Sequence, residues 1–470
     1  MLMPKEPLYL KLYNEIKTAI VSGNLRGGER LPSKRCQADT HNVSTVTVQT
    51  AYEQLIAEGY ITSRPRSGYF VLLPEERARQ FSNQIITPNH FPVDAPNFPP
   101  VPPDFVPSCP SAYIDLSNHT PHTDSFPFST WSKLMREIIS INYYRLLERL
   151  PHSGLFTLRQ SIAKYLLRNQ GVTVNPEYIV IGAGTEYLYS IAVKLVGRHS
   201  IIALENPGYR RLANIYAGEN VTTTTIPLDG EGILPEYLAL SKANVLHISP
   251  SGQFPTGCLM SERRRQAVLG WLQADRNRYV IEDDYEREFQ FNKSHLPALR
   301  QMDYNNRTIY INTFSQTISP SLRISYMVLP SSLIQKYNLL YSNYSCTVTS
   351  FEQYTLAAFI DGGYFERHVN RLRRRYRQFY QTVLPRLSEF DYLNQLPRNI
   401  PGLNFLLPLK SSKDETELKR NGEEHDLKLN FLSDYLLAPV KVPPKVAVLS
   451  CRSLNLASFT AGLEILKVIL

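Results

Sequence analysis

From Tyr113 onward, helical stretches alternate with short apolar runs: YIVIGAG, IIALENPGY, NVLHISP, RYVIEDDY, RTIYINTF and SYMVLP. Alternation of that kind predicts an α/β fold with a mixed, mostly parallel sheet flanked by helices. Such sheets take their ligands at the carboxyl ends of the strands, so the residues that follow each run carry the chemistry.

Residues 74–112 differ in character. The stretch PNHFPVDAPNFPPVPPDFVPSCPS is proline-dense, lacks helical period and cannot make a sheet interior. It reads as a semi-rigid connector, or as a strap along the larger domain, and it separates an amino-terminal module, 1–73, from a carboxy-terminal module, 113–470. A chain of 470 residues agrees with this, since roughly 150 residues per domain implies two or three. With 43% apolar residues the chain is globular, and its net charge of +9 permits a polyanionic partner. The five cysteines are scattered, with no CxxC pair or metal-like grouping, which predicts reduced thiols and no metal. The start MLMPKEPLYLKLYNEIK is too charged for a signal peptide. No run of roughly 18 apolar residues occurs, so a cytoplasmic chain without a membrane partner is expected.

In the first module, Leu8, Leu12, Ile16, Ala19 and Ile20 recur at three- and four-residue spacing, which predicts an amphipathic helix stopping at Gly23. Ser33 is placed to cap a second helix over KRCQADTH. Ser44 caps a third over TVTVQTAYEQLIAEG, with Val48, Ala51, Tyr52, Leu55 and Ile56 facing inward. The two helices, joined by the turn HNV, form a helix-turn-helix whose second member presents Thr45, Thr47, Gln49 and Thr50 outward. YITSRPRSGYFVLL then reads as a wing, with Arg64 and Arg66 aimed at phosphate or the minor groove and Gly68 relieving the turn. Double-stranded DNA is the expected partner; a protein-binding helical bundle is the alternative.

The ordered run from PLYLKLYNEIKTAIVSGNLRGGERLPSKR through AYEQLIAEGYI to SGYFV resembles the winged helix-turn-helix of the GntR family of bacterial repressors. That resemblance implies that Arg35 and Arg66 meet the DNA backbone or groove. It also implies that Thr45, Thr47 and Gln49 face the major groove. The family often has arginine directly after the helix-starting serine, where this chain has Thr45, so its operator is expected to be read differently.

In the second module, GAGTEYLYS gives a glycine turn at Gly184 into a helix starting at Thr185, whose amides and hydroxyl suit a phosphate. EDDYERE sets Asp283 and Tyr285 two residues apart, on one face if the strand continues. A carboxylate at a pyridine nitrogen and a phenol at a ring oxygen are what pyridoxal 5'-phosphate requires. An acidic strand end that binds a cation or caps a helix is the other reading.

NTFSQTISPSLRISYMVLP resembles the cofactor-anchoring segment of fold-type I aminotransferases. Gln316 stands where that family has the lysine that forms a Schiff base with the pyridoxal phosphate aldehyde. The resemblance further implies phosphate contacts from Ser315 and Arg323. SPSGQFPTG resembles the loop that reaches the cofactor ring, here through Gln253, and ENPGYRR the loop carrying Tyr209 and Arg211 on the effector side. Together with HTDSFPFSTW and PHSGLFTLRQSIAKYLLRNQGV, these phrases resemble the aminotransferase-like domain of MocR/GabR-type GntR regulators across 113–470. A head-to-tail homodimer and a small-molecule effector follow from that resemblance. In VAVLSCRSLNLASF, Arg452 is the candidate for an effector carboxylate, although the wording departs from the usual arginine-leucine-glycine-phenylalanine. RHVNRLRRRYRQFY reads as a solvated or dimer-facing helix, and 410–428 as an exposed loop insertion.

A carboxamide cannot form an imine, and neither Lys293 nor Lys336 is placed to substitute. Three readings of Gln316 follow: pyridoxal phosphate held noncovalently by Asp283, Tyr285, Ser315 and Arg323; a different phosphorylated or carboxylated effector in the same cup; or an engineered replacement. The expected function is transcriptional regulation without transamination. The rivals are an aminotransferase with an appended DNA-binding domain, and a DNA-binding dimer that ignores ligands.

Overall fold

A computed structural model of the chain describes residues 7–22, 24–64, 67–72, 113–117, 125–290, 296–390, 402–439, 442–443, 445–452 and 456–470. The chain divides into two compact units, Met1–Pro107 and Ser108–Leu470. The connector assigned to 74–112, together with Gly23 and Arg66, lies outside the described residues.

The first unit has α1 (Leu8–Val21), β1 (Arg30–Leu31), α2 (Lys34–His41), α3 (Thr45–Ala57), β2 (Ile61–Arg64) and β3 (Gly68–Val71). Ser33 Oγ accepts from the Cys36 amide at 3.2 Å and Ser44 Oγ from the Thr47 amide at 3.1 Å, so each serine caps one orphan donor of its helix. Leu12, Tyr13 and Ile16 of α1 pack on Val48, Ala51, Tyr52 and Leu55 of α3, whereas Leu8 and Ile56, expected inside, are exposed. The Tyr52 hydroxyl donates to the Pro32 carbonyl at 2.9 Å, tying α3 to the lead-in of α2. Antiparallel β1, β3 and β2 form the wing, with Arg64 opposite Gly68. Gly68 adopts φ +105, a conformation in which a side chain would be strained.

The second unit is built on an eight-stranded sheet in the order β5 (Ile179–Gly182), β12 (Ser325–Val328), β11 (Thr308–Thr313), β10 (Tyr279–Asp283), β9 (Val245–Ile248), β6 (Ile201–Asn206), β7 (Thr222–Asp229) and β8 (Gly232–Ile233). The pairings from β11 through β10, β9 and β6 to β7 are parallel; β12 runs against both its neighbours, and β8 against β7. The sheet is thus mixed and mostly parallel. β5, β9, β11 and β12 are buried along their whole length, which is why apolar residues fall at successive positions in each of them instead of alternating with polar ones. Reversal of β12 has a functional consequence. Its first residue, Ser325, pairs with both Thr313 and Gly182, so Arg323 arrives at the edge where β5 and β11 end.

A smaller lobe pairs β13 (Asn404–Pro408) with β15 (Val446–Ser450), and β4 (Ile114–Asp115) with β14 (Leu427–Lys428). The helix Tyr364–Leu387 covers it with Leu372, Tyr376, Tyr380 and Val383, while Arg374, Arg375 and Arg377 face outward. The segment 410–428, expected to be a loop, is instead a helix, Glu415–Glu424, followed by β14. Asp414 caps it and Leu418 and Leu427 enter the lobe core. Gly422 is required there, because a Cβ would stand 2.7 Å from the Leu427 carbonyl oxygen.

Candidate functional site

The carboxyl edge of the sheet and the strand-to-helix turns above it line one cavity. At one end, β5 turns through Gly184 into the helix Thr185–Val196. Gly184 has φ +90, and a Cβ on it would lie 2.3 Å from Arg323 Nη2; its absence lets the guanidinium lie over the helix amino terminus. Arg323 itself adopts φ 49. Glu186 Oε2 accepts from Arg323 at 3.3 Å and its Oε1 from Arg211 at 2.5 Å, which draws both cations to this end. Thr185 and Ser315 line the same end, and Ser315 Oγ is buried with no partner. Two arginines, a helix start and two hydroxyls make an anion cradle.

The middle is shaped by Asp283 at the end of β10. Tyr189 donates to its Oδ2 at 2.5 Å, and His247 Nε2 lies 3.7 Å from that oxygen. Tyr216 and His247 Nδ1 are 2.6 Å apart, while Asp283 Oδ1 and His247 Nε2 are buried without partners. Burial raises the tyrosine pKa values well above their usual range, so both phenols remain proton donors. Glu205 completes this wall. Burial pushes its carboxyl up to about 8, with the Ser249 amide opposing and Asp283 adding to the rise.

Two expectations about this wall need correction. Gln253 does not face the cavity: its Nε2 donates to Pro207 O at 2.8 Å and its Oε1 accepts from Thr256 Oγ1 at 2.6 Å. The turn also closes from the Gly257 amide to the Gln253 backbone oxygen at 2.6 Å, and the carboxamide is consumed between this turn and Pro207. Phe254 takes the place at the cavity and meets Tyr209 edge to face, with ring centroids 5.7 Å apart. Tyr285 does line the cavity, but its hydroxyl donates to Gly252 O at 2.9 Å, which spends its proton on backbone.

At the far end Gln316 meets Arg452, whose Nη1 donates to the Gln316 carboxamide oxygen. Arg452 Nη2 donates to Glu286 Oε1 at 2.9 Å, and both side chains are 1% exposed. Asn404 Nδ2 donates to the same oxygen at 2.8 Å. Burial raises the Glu286 pKa and Arg452 opposes it. Arg452 is therefore neutralised by Glu286, a different state from the open carboxylate receptor that the sequence implied. Among the described residues no lysine lines the cavity, and Lys336 donates to Leu195 O at 2.6 Å, on a different part of the fold. Lys293 lies outside the described residues.

Tyr189, Glu186, Glu205, His247 and Glu286 were missed by sequence reasoning. His247 left a signal, being the one polar residue in the run VLHI; the others are ordinary in their local context.

On the first unit, Thr45, Val46, Gln49 and Thr50 are exposed on one face of α3. Val46, 69% exposed, stands in the row in place of Thr47, whose hydroxyl lies 2.8 Å from Ser44 Oγ and folds back on the cap. Gln49 is bridged to Lys34 at 3.3 Å and Glu53 at 2.8 Å. Arg35 is exposed and Arg64 stacks on Phe70, 4.8 Å from the ring centroid. Among the described residues no cluster is arranged to hold a metal ion, and no helix is long and apolar enough to cross a membrane.

Comparison with known proteins agrees with this division. Residues 8–71 match bacterial regulatory proteins of the gntR family, and residues 114–414 match aminotransferase class I and II. An uncharacterized HTH-type transcriptional regulator of Bacillus subtilis, YdeL, is 35% identical over 98% of this chain and 96% of its own length. The probable rhizopine catabolism regulatory protein MocR of Rhizobium meliloti is 28% identical over 98% and 93%. Among solved structures, the kynurenine aminotransferase of Pyrococcus horikoshii superposes with a TM-score of 0.68 at 22% identity, covering 77% of this chain and 92% of that one.

Proposed function

The chain belongs to the MocR/GabR type of GntR-family transcriptional regulators, a winged helix-turn-helix joined to an aminotransferase-like domain, and from that membership we propose that its second domain senses a ligand and does not transaminate. The ligand is pyridoxal phosphate, or a phosphorylated ring compound like it, held without a covalent bond. One observation carries this reading: residue 316 is an amide, already bonded to Arg452, and no lysine among the described residues reaches the cavity.

The residues present fit the cofactor. Asp283 Oδ1 and Ser315 Oγ are buried polar atoms without partners, an acceptor of the kind a protonated pyridine nitrogen would use and a hydroxyl of the kind a phosphate would use. The missing Cβ of Gly184 leaves Arg323 over the helix start. Asp283 would hold the ring nitrogen, Tyr209 and Phe254 would flank the ring, and Thr185, Ser315, Arg323 and Arg211 would hold the phosphate. When bound, pyridoxal phosphate supplies an electron-withdrawing ring, which here has no lysine to work with. Ligand occupancy can change DNA binding only through unequal affinity for two arrangements of the chain. In this reading those arrangements belong to a head-to-tail homodimer that presents two winged domains to one operator.

The test is a calorimetric titration of the full chain with pyridoxal phosphate, paired with fluorescence anisotropy on DNA from upstream of its own gene. Binding without the absorbance of a lysine imine, with that absorbance appearing in Gln316→Lys, is expected. Operator affinity that shifts with ligand supports sensing, and affinity that ignores ligand favours a constitutive dimer. Turnover of an amino donor and a keto acceptor by the native chain would overturn the proposal.

A further inference from the structure

The orientation of one amide determines what the cavity accepts at its Gln316 end. Arginine has donors only, so the group facing Arg452 must be the carboxamide oxygen, as it is here. Turning the amide over would set two donors against each other beside a buried guanidinium. The guanidinium cannot follow, because Glu286 Oε1 holds Nη2 at 2.9 Å and is itself anchored by Asn404 at 2.8 Å. Gln316 Nε2 is therefore left on the cavity side with two N–H groups and no protein acceptor among the described residues. The hydrogen bond that the Arg452 guanidinium donates to Oε1 draws electron density from the amide nitrogen toward that oxygen and strengthens those two donors.

Resting on the ligand reading above, we propose that Gln316 is a specificity-determining residue that selects phosphorylated pyridines by the substituent facing it. An aldehyde or a hydroxyl offers the acceptor oxygen that Nε2 requires. An aminomethyl group, an ammonium at neutral pH, offers donors only and meets the amide donor to donor. Selectivity here comes from an unanswered hydrogen bond against the wrong ligand as much as from a good one to the right ligand.

Pyridoxine phosphate and pyridoxamine phosphate share ring and phosphate, differ in one heavy atom and form no imine with protein lysines, so they isolate this contact. Calorimetric titration of the full chain is expected to give at least about tenfold tighter binding of pyridoxine phosphate, the scale of one donor left unanswered in a closed site. Gln316→Glu keeps one oxygen for Arg452 and turns the other to the cavity, so it is expected to reverse the order. The native comparison decides the point without any variant. Equal binding, or tighter binding of pyridoxamine phosphate, would overturn the proposal and leave the cavity reading standing, with the unpartnered Glu286 Oε2 as the group that answers the ammonium. Failure of both compounds to bind would remove the cavity reading and this proposal with it.

Discussion

Tyr189 donates a 2.5 Å hydrogen bond to Asp283 Oδ2 and leaves Oδ1 buried with no donor. An unanswered buried acceptor costs on the order of 1–3 kcal/mol, which a protonated ring nitrogen would return on binding. Asp283→Asn keeps the shape and an oxygen for Tyr189, but turns an N–H toward the ligand. Calorimetry is expected to show at least about tenfold weaker pyridoxal phosphate binding, with the melting temperature unchanged within a few degrees. A lowered melting temperature with intact affinity would make Asp283 a structural residue only.

Glu205 gives the unliganded chain a pH-dependent stability. Its folded pKa, raised by burial to about 8, lies above the ordinary carboxylate range. The folded chain therefore holds a proton that the unfolded chain has released, and stability falls as pH rises through that window. Glu205→Gln should flatten the fall between about pH 5 and pH 8 by on the order of 1–3 kcal/mol. Glu282 and Glu288, both raised to about 7 by burial, keep some slope in the variant. Urea denaturation midpoints at three pH values measure the difference, and parallel profiles for the two proteins would contradict it.

The outward row of α3 predicts two kinds of DNA defect. Gln49→Ala should cost about 1–3 kcal/mol on the operator and little on scrambled DNA, the signature of a lost base contact. Arg35→Ala should weaken both DNAs alike and reduce the slope of log affinity against log salt by about 1. Val46→Ala, at an exposed apolar position in the same row, is expected to affect the operator alone. Anisotropy across a salt series separates these outcomes, and a salt-slope change for Gln49→Ala would reassign it to the backbone.

What was legible in the sequence is what local physics sets. The caps at Ser33 and Ser44 depend on residues three positions away, and strands such as β5 and β11 carry apolar residues at successive positions because both their faces are covered. The contacts that make the cavity join distant positions. Tyr189 and Asp283 are 94 residues apart and Arg452 and Gln316 are 136 apart, so no window of sequence contains either pair. The Gln253 expectation failed by one position, since a turn that closes on its own carboxamide hands the cavity to its neighbour Phe254. In 410–428 the charged residues concealed Leu418 and Leu427, two apolar anchors that are enough to dock a short helix and strand on a lobe already built by others.

The buried pair Arg452 and Glu286 carries the last prediction. Removing one member strands the other in the interior, and such losses run to about 3–5 kcal/mol. Arg452→Met should therefore destabilise the second domain by that order, through the uncompensated Glu286 and the lost donor to Gln316. Glu286→Gln in the same chain removes the stranded charge and keeps an oxygen for Asn404, so the double variant should regain most of the loss. The single variant has a further signature. Without Arg452 the strongest opposition to the burial that raises the Glu286 pKa is gone, and only hydrogen bonds from Asn404 and the Leu403 backbone still oppose it. The folded chain then takes up a proton at higher pH, so the defect should be smallest in mild acid and grow as pH rises. Denaturation midpoints of native, single and double variants at pH 5 and pH 8 test both statements. A single variant no less stable than the double, or a defect that shrinks with rising pH, would mean that hydrogen bonding and packing, rather than charge compensation, hold this end of the cavity together.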